Sequence, residues 1–346
     1  LSLSNPNKTT VETFWTDLKD TKSGLYATYA ALRNDYVLNI REEAWRSDLC
    51  WPGYGRPQPQ NNAEGWNWYC QNYTNSTVAI SSKWDALYIS IWRANQVIEA
   101  LERIKDTVSG DEIETWNIQM GHARFIRGLM YFYLHSSFNN GSVVLRTSTA
   151  QSFNLPLSPA EDVLKFFRED LEVAYDLLPV PQDVTSDYEG LATKGTAATI
   201  QGISYLYEKE YSEAEMKFKD VIDNYGYELE QDWTNAGEFN SESILEISYS
   251  LDYRQDITTW DMNCMYNRLA TLSTSLGGFL PAAWLVNEFL NDKPDNKDSR
   301  NTGRQVSLRA SAMVALVKDE VTPYYINGNA SEKCPMGGPL ADWGFG

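Results

Sequence analysis

The sequence has no hydrophobic run that could cross a bilayer and few basic side chains. No stretch of its 346 residues approaches the roughly 18 to 20 consecutive apolar positions that a membrane-spanning helix requires. Its 29 Lys and Arg stand against 47 Asp and Glu, a formal net charge of -18. Such a surface repels phosphate backbones and anionic headgroups. Nucleic acid and peripheral membrane partners are therefore disfavoured, and neutral or cationic ligands stay open.

Residue types that bind metals are also scarce. The four cysteines lack C-x-x-C spacing, so a zinc or iron–sulfur cage is not expected. Cys50 and Cys70 either pair in an oxidising compartment or are two unrelated buried thiols. The only histidines, His122 and His135, are thirteen positions apart and cannot form the adjacent pair of a zinc helix. The sequence predicts no metal site and no cofactor.

Catalytic signatures are absent as well. The sequence has no nucleophile-elbow serine and no glycine loop of the kind that cradles phosphate. Carboxylates are so numerous that some pair could always be nominated for glycoside hydrolysis, so their abundance carries no information. We predict that the chain is not an enzyme.

Apolar residues recur at helical spacing and predict a mostly α fold. The predicted helices cover about 22–34, 84–101, 111–138, 158–178, 194–209 and 212–224. Asp111 is a candidate N-cap, and Ser158 with Glu161 has the pattern of a capping box. Asn95 interrupts the apolar face of its helix. After about residue 227 the sequence becomes rich in loop-forming residues, apart from the strand-like run 243–249.

The last two predicted helices carry a repeat signal. Gly202, Tyr205, Ala214 and Phe218 reproduce the tetratricopeptide spacing of Gly, Tyr, Ala and Phe. The small residues let paired helices approach closely, and the rings fill the space between neighbouring pairs. With two further helical hairpins upstream, the pattern predicts a scaffold of tetratricopeptide-like hairpins with long aromatic-rich loops and little β structure.

Aromatic residues are abundant, with 12 Trp and 21 Tyr. A concentration in residues 48–75 shows no helical period and lies among glycines and prolines, which predicts a long functional loop. Its rings are Trp51, Tyr54, Trp66, Trp68, Tyr69 and Tyr73. Flat rings suit the C–H face of a sugar, and Asn67 and Arg56 can bond its hydroxyls. The alternative is that half of these rings anchor the loop to the helices.

Five local signatures occur in an order that resembles the SusD/RagB family. They are Trp84 to Asn95 (W-x-x-L-Y-x-x-I-x-x-A-N), Ala123 to Leu134 (close to A-x-F-x-R-A-x-x-Y-F-x-L), Asp170 to Pro179 (D-L-x-x-A-x-x-x-L-P), Thr193 to Ala198 (T-K-G-x-A-A) and Glu242 to Ile247 (E-x-I-x-E-I). The resemblance covers most of the first two thirds of the chain. Each signature alone is compatible with ordinary helix packing, so their order carries the specificity.

The resemblance implies a single domain over 1–346, with a helical scaffold at 22–228 and a loop-rich ligand-side region at 229–346. It implies a surface-exposed outer-membrane lipoprotein that captures an oligosaccharide or polysaccharide and delivers it to a SusC-like TonB-dependent transporter. The family's lipidated cysteine and C-terminal helical segment have no counterpart here, so we expect a truncated form. Membrane contact is expected only through that missing anchor.

The resemblance also selects site residues. The family's ligand site is an arc of aromatics on loops, which favours Trp51, Tyr54, Arg56, Trp66, Asn67 and Trp68. A second group follows the last signature, where the family contributes further binding residues; its main candidates are Tyr253 and Trp260. Three alternatives stay open: a glycoside hydrolase on an α-helical toroid, a peptide-binding member of the same family, and a repeat scaffold that binds only protein.

Overall fold

The structure, a computed structural model, describes residues 14–53, 63–152, 154–230, 240–247, 280–307 and 310. The chain divides into two compact units. The first unit comprises residues 1–39 and 75–268, and the second comprises residues 40–74 and 269–346. The predicted division into a 22–228 scaffold and a 229–346 region stays a prediction.

The first unit is built from helices, and the prediction of a mostly α fold is confirmed. Its helices are α1 (Leu18–Tyr29), α2 (Asp35–Leu38), α5 (Val78–Ile104), α6 (Glu112–Ser137), α7 (Ala160–Leu177), α8 (Lys194–Tyr207) and α9 (Tyr211–Asn224). Short 3-10 turns lie at Ala30–Arg33, Lys105–Thr107, Asn139–Gly141 and Pro181–Asp183. From α5 to α9 each helix packs against the next, which produces an array of antiparallel hairpins. No described helix combines the length and apolar content that spanning a membrane would require.

The α8–α9 pair confirms the tetratricopeptide spacing. A Cβ atom on Gly202 would lie only 2.6 Å from Cε1 of Phe218, so the helices approach as closely as the glycine permits. Ala214 of α9 is also buried. The small residues were predicted for this role, and the geometry shows why larger ones do not fit.

Helix α5 buries a polar position, and the reason lies in its neighbours. Asn95 accepts from Nη1 of Arg127 on α6 at 2.7 Å and donates to the carbonyl of Arg146 at 2.9 Å. Arg127 also binds Asp170 on α7 through Nε at 2.7 Å and Nη2 at 2.8 Å. Arg124 donates to the same carboxylate at 2.9 Å. Three of the five signatures therefore meet in one buried hydrogen-bond network across α5, α6 and α7.

One predicted helix cap differs in position from the structure, and the other lacks the expected side-chain hydrogen bond. Pro159, not Ser158, is the N-cap of α7, because the Ser158 backbone is engaged elsewhere: its N–H donates to Val143 at 2.8 Å, and its carbonyl accepts from Ser142. Asp111 is the N-cap of α6 but makes no side-chain cap hydrogen bond. The capping box lies instead at the start of α8, between Thr193 and Thr196.

The strand-like prediction for 243–249 is wrong over 243–247, the part that the structure describes. These residues form bends and irregular backbone rather than a strand. Their apolar content is explained by packing: Leu245 and Ile247 lie against the main core, and the carbonyl of Ile244 accepts from Oγ1 of Thr196 at 3.0 Å. A segment laid on a helical core needs apolar side chains without needing a sheet.

The second unit contains short elements only. They are α3 (Ile40–Arg46), β1 (Cys50–Trp51), α4 (Ala63–Tyr69), β2 (Leu280–Pro281), α10 (Ala283–Asn291) and the 3-10 turn Ser299–Asn301. The two strands pair antiparallel, with Cys50 opposite Pro281 and Trp51 opposite Leu280. Helix α4 corrects the prediction that 48–75 lacks regular structure. The last proline of this stretch is Pro59, so 63–69 is free of the residue that breaks helices.

Candidate functional site

Three aromatic rings of the second unit form a compact cluster. Trp66 and Tyr69, three positions apart on α4, have ring centroids 5.9 Å apart and planes inclined by only 16°. Trp51 of β1 meets both rings edge-on, with centroids at 5.7 Å from Trp66 and 5.2 Å from Tyr69. All three side chains are half-buried. Each ring is therefore held by the other two and keeps part of its surface in contact with solvent.

Backbone contacts position this cluster on both sides. Trp51 is fixed by the pairing of β1 with β2, and the N–H of Ala282 continues the pairing by donating to Leu49 at 2.9 Å. After α4 the chain turns sharply, with the N–H of Cys70 donating to Trp66 at 2.9 Å and that of Asn72 donating to Asn67 at 2.7 Å. The rings therefore stand on a short strand and a helix with a closed C-terminal turn.

The predicted site residues fall into three groups. Trp51 and Trp66 lie in the cluster, and Asn67 is exposed beside Trp66. Trp68 is only 3% exposed and stacks on Tyr73 at 4.3 Å, which disagrees with the prediction that its ring contacts a ligand. The remaining candidates, Tyr54, Arg56, Tyr253 and Trp260, lie outside the described residues.

Tyr69 belongs to the cluster but was not selected from the sequence. Its signal was the i, i+3 relation to Trp66, which places two side chains on one face of a helix. That relation becomes meaningful only once 63–69 is known to be helical. The prediction of an irregular loop hid it.

Carboxylates near the cluster are engaged with arginines. On α3, Glu42 pairs with Arg41 and Glu43 pairs with Arg46. Glu64 at the start of α4 lies 3.6 Å from Arg41. The Arg41–Glu64 contact connects α3 to α4.

The two cysteines of this region, Cys50 and Cys70, do not form a disulfide. Cys50 and Cys70 are free thiols in the structure, so the pairing considered above is not formed. Burial raises the pKa of the Cys50 thiol, which disfavours its reactive thiolate form. Among the described residues no group of three or more His, Cys, Asp or Glu side chains could hold a metal ion.

Comparison with known proteins decides the family. A SusD-like family model, described as "starch-binding associating with outer membrane", matches residues 18–202, more than half of the chain. The chain belongs to this SusD-like family. SusD-like proteins are carbohydrate-binding proteins associated with the outer membrane, and they are in general binders rather than enzymes. The matched range includes Trp51, Trp66 and Tyr69 as well as the buried network.

Individual SusD-like proteins agree with this assignment. SusD-like protein P38 of Formosa agariphila is 26% identical over 269 residues, which cover 71% of this chain and 48% of the relative. A SusD superfamily protein from Bacteroides vulgatus has the same fold, with a TM-score of 0.63, 24% identity and coverage of 82% of this chain and 60% of that one. The SusD-like chain spans about half the length of the curated relatives it matches.

One solved relative has a named ligand. It is a laminarin-binding SusD-like protein, 25% identical, with a TM-score of 0.55 and coverage of 66% of this chain and 50% of that one. Laminarin is the ligand of that protein.

Proposed function

We propose that this chain captures a neutral oligosaccharide at the cell surface and delivers it to a SusC-like TonB-dependent transporter in the outer membrane. The observation that carries the proposal is the half-buried cluster of Trp51, Trp66 and Tyr69, in which Trp66 and Tyr69 are nearly parallel. Asn67 lies exposed next to Trp66 and supplies an amide for hydroxyl groups.

Sugar is the ligand class that suits these groups best. A pyranose has one face of C–H groups, which packs on an aromatic face, and a rim of hydroxyls, which need donors and acceptors. The net charge of -18 disfavours anionic ligands and leaves neutral glycans unaffected. The family's carbohydrate binding and the laminarin-binding relative support the same class.

Surface anchoring and transfer to a transporter are part of the proposal. They rest on the family's association with the outer membrane. Tyr54, Arg56, Tyr253 and Trp260 stay predicted contributors to the same site.

Titration calorimetry with starch- and laminarin-derived oligosaccharides and with peptides tests the proposal. We expect a glycan to bind and Trp66→Ala to weaken it about two- to tenfold, because one stacked ring contributes roughly 0.5–1.5 kcal/mol beyond its buried area. Tyr211→Ala removes an exposed aromatic ring from α9 of the first unit and serves as the control. The same mixtures are assayed for reducing ends.

The outcomes separate the alternatives. Binding that is unchanged in Trp66→Ala contradicts the site, and binding of peptides alone contradicts the ligand class. Release of reducing ends indicates a hydrolase, whose catalytic carboxylates would then be identified by mutagenesis.

Trp68→Ala is expected to lower the free energy of unfolding by roughly 3–5 kcal/mol, because the Trp68 ring is buried. Urea unfolding measures this change.

A further inference from the structure

The first unit has a groove between α1 and α5, remote in sequence from the aromatic cluster. Its volume is about 340 Å³, at the lower end of the range for small-molecule sites, about 300–1,000 Å³. Its walls and floor are formed by Phe14, Trp15, Ser23, Gly24, Ala27, Ala30, Trp92, Arg93 and Gln96. Three aromatic side chains, three small residues and three polar residues thus share one concave surface.

Trp92 is the most unusual of these residues. The buried face of α5 includes Ile91, Ala94 and Ile98, and Trp92 lies on the other side of the helix. Half of its surface is exposed. A large ring on the solvent side of an amphipathic helix is not needed for folding. Its exposed half is apolar surface that is open to a ligand.

Trp15 and Phe14 form another part of the groove's lining. Trp15 is buried and packs so tightly on α1 that a Cβ atom on Gly24 would lie 2.2 Å from its ring. The carbonyl of Trp15 accepts from Nη2 of Arg103 on α5 at 3.1 Å. Phe14 meets Trp15 edge-on at 4.9 Å and is 37% exposed. The glycine creates the space, and the two rings form a fixed wall.

Polar groups border the same surface. Nη1 of Arg93 donates to the carbonyl of Ala27 at 3.0 Å, which holds the guanidinium at the rim. Gln96 lies one turn further along α5, and the Ser23 hydroxyl stands on α1. Amide, guanidinium and hydroxyl groups are the donors and acceptors that sugar hydroxyls require.

We propose that this groove is a second saccharide-binding subsite, which takes a neutral sugar ring of the same glycan class as the aromatic cluster. The inference rests on the proposed function for its ligand class, and on the groove itself for its location. Arg93 disfavours a cationic ligand, none of the described residues that line the groove is a carboxylate, and the chain's charge of -18 disfavours an anion. A neutral sugar ring can stack on Trp92 through its C–H face and form a hydrogen bond with Gln96 through a hydroxyl, so it matches both the aromatic and the polar residues of the groove.

Equilibrium dialysis of the whole chain against labelled maltotriose and laminaritriose, at concentrations up to the millimolar range, tests the proposal. We expect two sites per wild-type chain. Trp66→Ala should weaken one of them about two- to tenfold, Trp92→Ala should weaken the other by a similar factor, and the double variant should weaken both. Trp92→Phe, which keeps a ring, is expected to retain the second site, and Gln96→Ala to weaken it about threefold. Tyr211→Ala is the matched control, since its ring is exposed on the same unit outside the groove.

Each result bears on one proposal or both. Equal binding by the wild-type chain and Trp92→Ala, with weaker binding by Trp66→Ala, overturns the second subsite and leaves the proposed function intact. Weaker binding by Trp92→Ala with no change in Trp66→Ala supports the groove and contradicts the cluster. Failure of the wild-type chain to bind either trisaccharide contradicts both. Thermal unfolding of Trp92→Ala checks that its fold is retained, as its exposure leads us to expect.

Discussion

His122 on α6 has a structural role that its residue type alone does not indicate. It is fully buried, lies 2.8 Å from the Tyr29 hydroxyl through Nδ1 and stacks on Tyr188 at 5.2 Å. The Tyr29 hydroxyl also accepts from the N–H of Ala192 at 3.2 Å, so its own proton is available to Nδ1. A neutral imidazole joins α1, α6 and the loop before α8.

The buried histidine predicts a loss of stability in mild acid. Burial lowers the pKa of His122 from 6.5 to about 3. Below pH 6.5 the unfolded chain binds a proton at this histidine, whereas the folded chain does not bind it until about pH 3. The free energy of unfolding is therefore unaffected by His122 above pH 6.5 and decreases as the pH falls from 6.5 towards 3. At pH 5 the cost is about 2 kcal/mol. Urea unfolding at pH 7 and pH 5 measures it.

A variant isolates this contribution from that of the carboxylates. His122→Gln is expected to lose less stability between pH 7 and pH 5 than the wild type does. His135→Gln, at a histidine that retains some solvent exposure, is expected to behave more like the wild type. Parallel pH dependences for the wild type and His122→Gln would contradict the assignment.

At the scale of elements, the helical hairpins depend on two devices: small residues at close contacts and a buried ionic network. Gly202 permits the approach of α8 and α9, and the Arg127–Asp170 pair with Asn95 connects α5, α6 and α7. The close contact and the buried network are both formed by residues of the sequence patterns described above. Each can be tested by one substitution and one control.

Gly202→Ala is expected to destabilise the protein by about 1–3 kcal/mol. The added methyl group would overlap the Phe218 ring at 2.6 Å, and this overpacking outweighs the roughly 1 kcal/mol that alanine gains over glycine in a helix. Thermal unfolding measures the net change. Phe218→Leu in the same chain should recover part of the loss, and a Gly202→Ala variant as stable as the wild type would rule out the close contact.

Asp170→Asn is expected to cost about 3–5 kcal/mol, because it leaves the buried Arg127 guanidinium without its counter-charge. The adjacent residue supplies the control. Glu169 forms an exposed pair with Lys165 at 3.8 Å, so Glu169→Gln should change stability by less than about 0.5 kcal/mol. Similar effects of the two substitutions in chemical denaturation would argue against a structural role for the network.

For the whole molecule, charge is the dominant property, and it acts on ligand choice rather than on the fold. A chain of net charge -18 attracts cations and repels anions over distances set by the salt concentration. Screening shortens that distance from about 10 Å at 0.1 M salt to about 3 Å at 1 M. A neutral glycan is outside this effect.

The Kd for a neutral oligosaccharide should therefore change by less than about twofold between 50 mM and 500 mM NaCl. A sulfated oligosaccharide of the same length should bind more weakly, and its disadvantage should shrink as salt is added. Calorimetric titrations of both ligands at the two salt concentrations give the comparison. A neutral glycan whose binding weakens strongly with salt would indicate that charged groups of the protein carry the recognition.

The sequence by itself determined the helical array, because helices are read from apolar spacing within a few turns. The Gly202–Phe218 contact and the family signatures followed from such local patterns, and the structure agrees. The sequence also predicted Trp51 and Trp66 as ligand-site residues, because a concentration of rings among glycines and prolines is a local property. Side-chain roles that depend on distant segments were not accessible in this way.

Tertiary structure decided which of two neighbouring tryptophans faces solvent: Trp66 is half-buried and Trp68 is covered, although they are two positions apart. It also decided that Trp51 is held by a strand from residues 280–281 and that Ser158 serves the backbone of 142–143 instead of capping α7. Exposure and strand pairing depend on contacts between segments far apart in the chain. Periodicity and local propensity contain no record of those contacts.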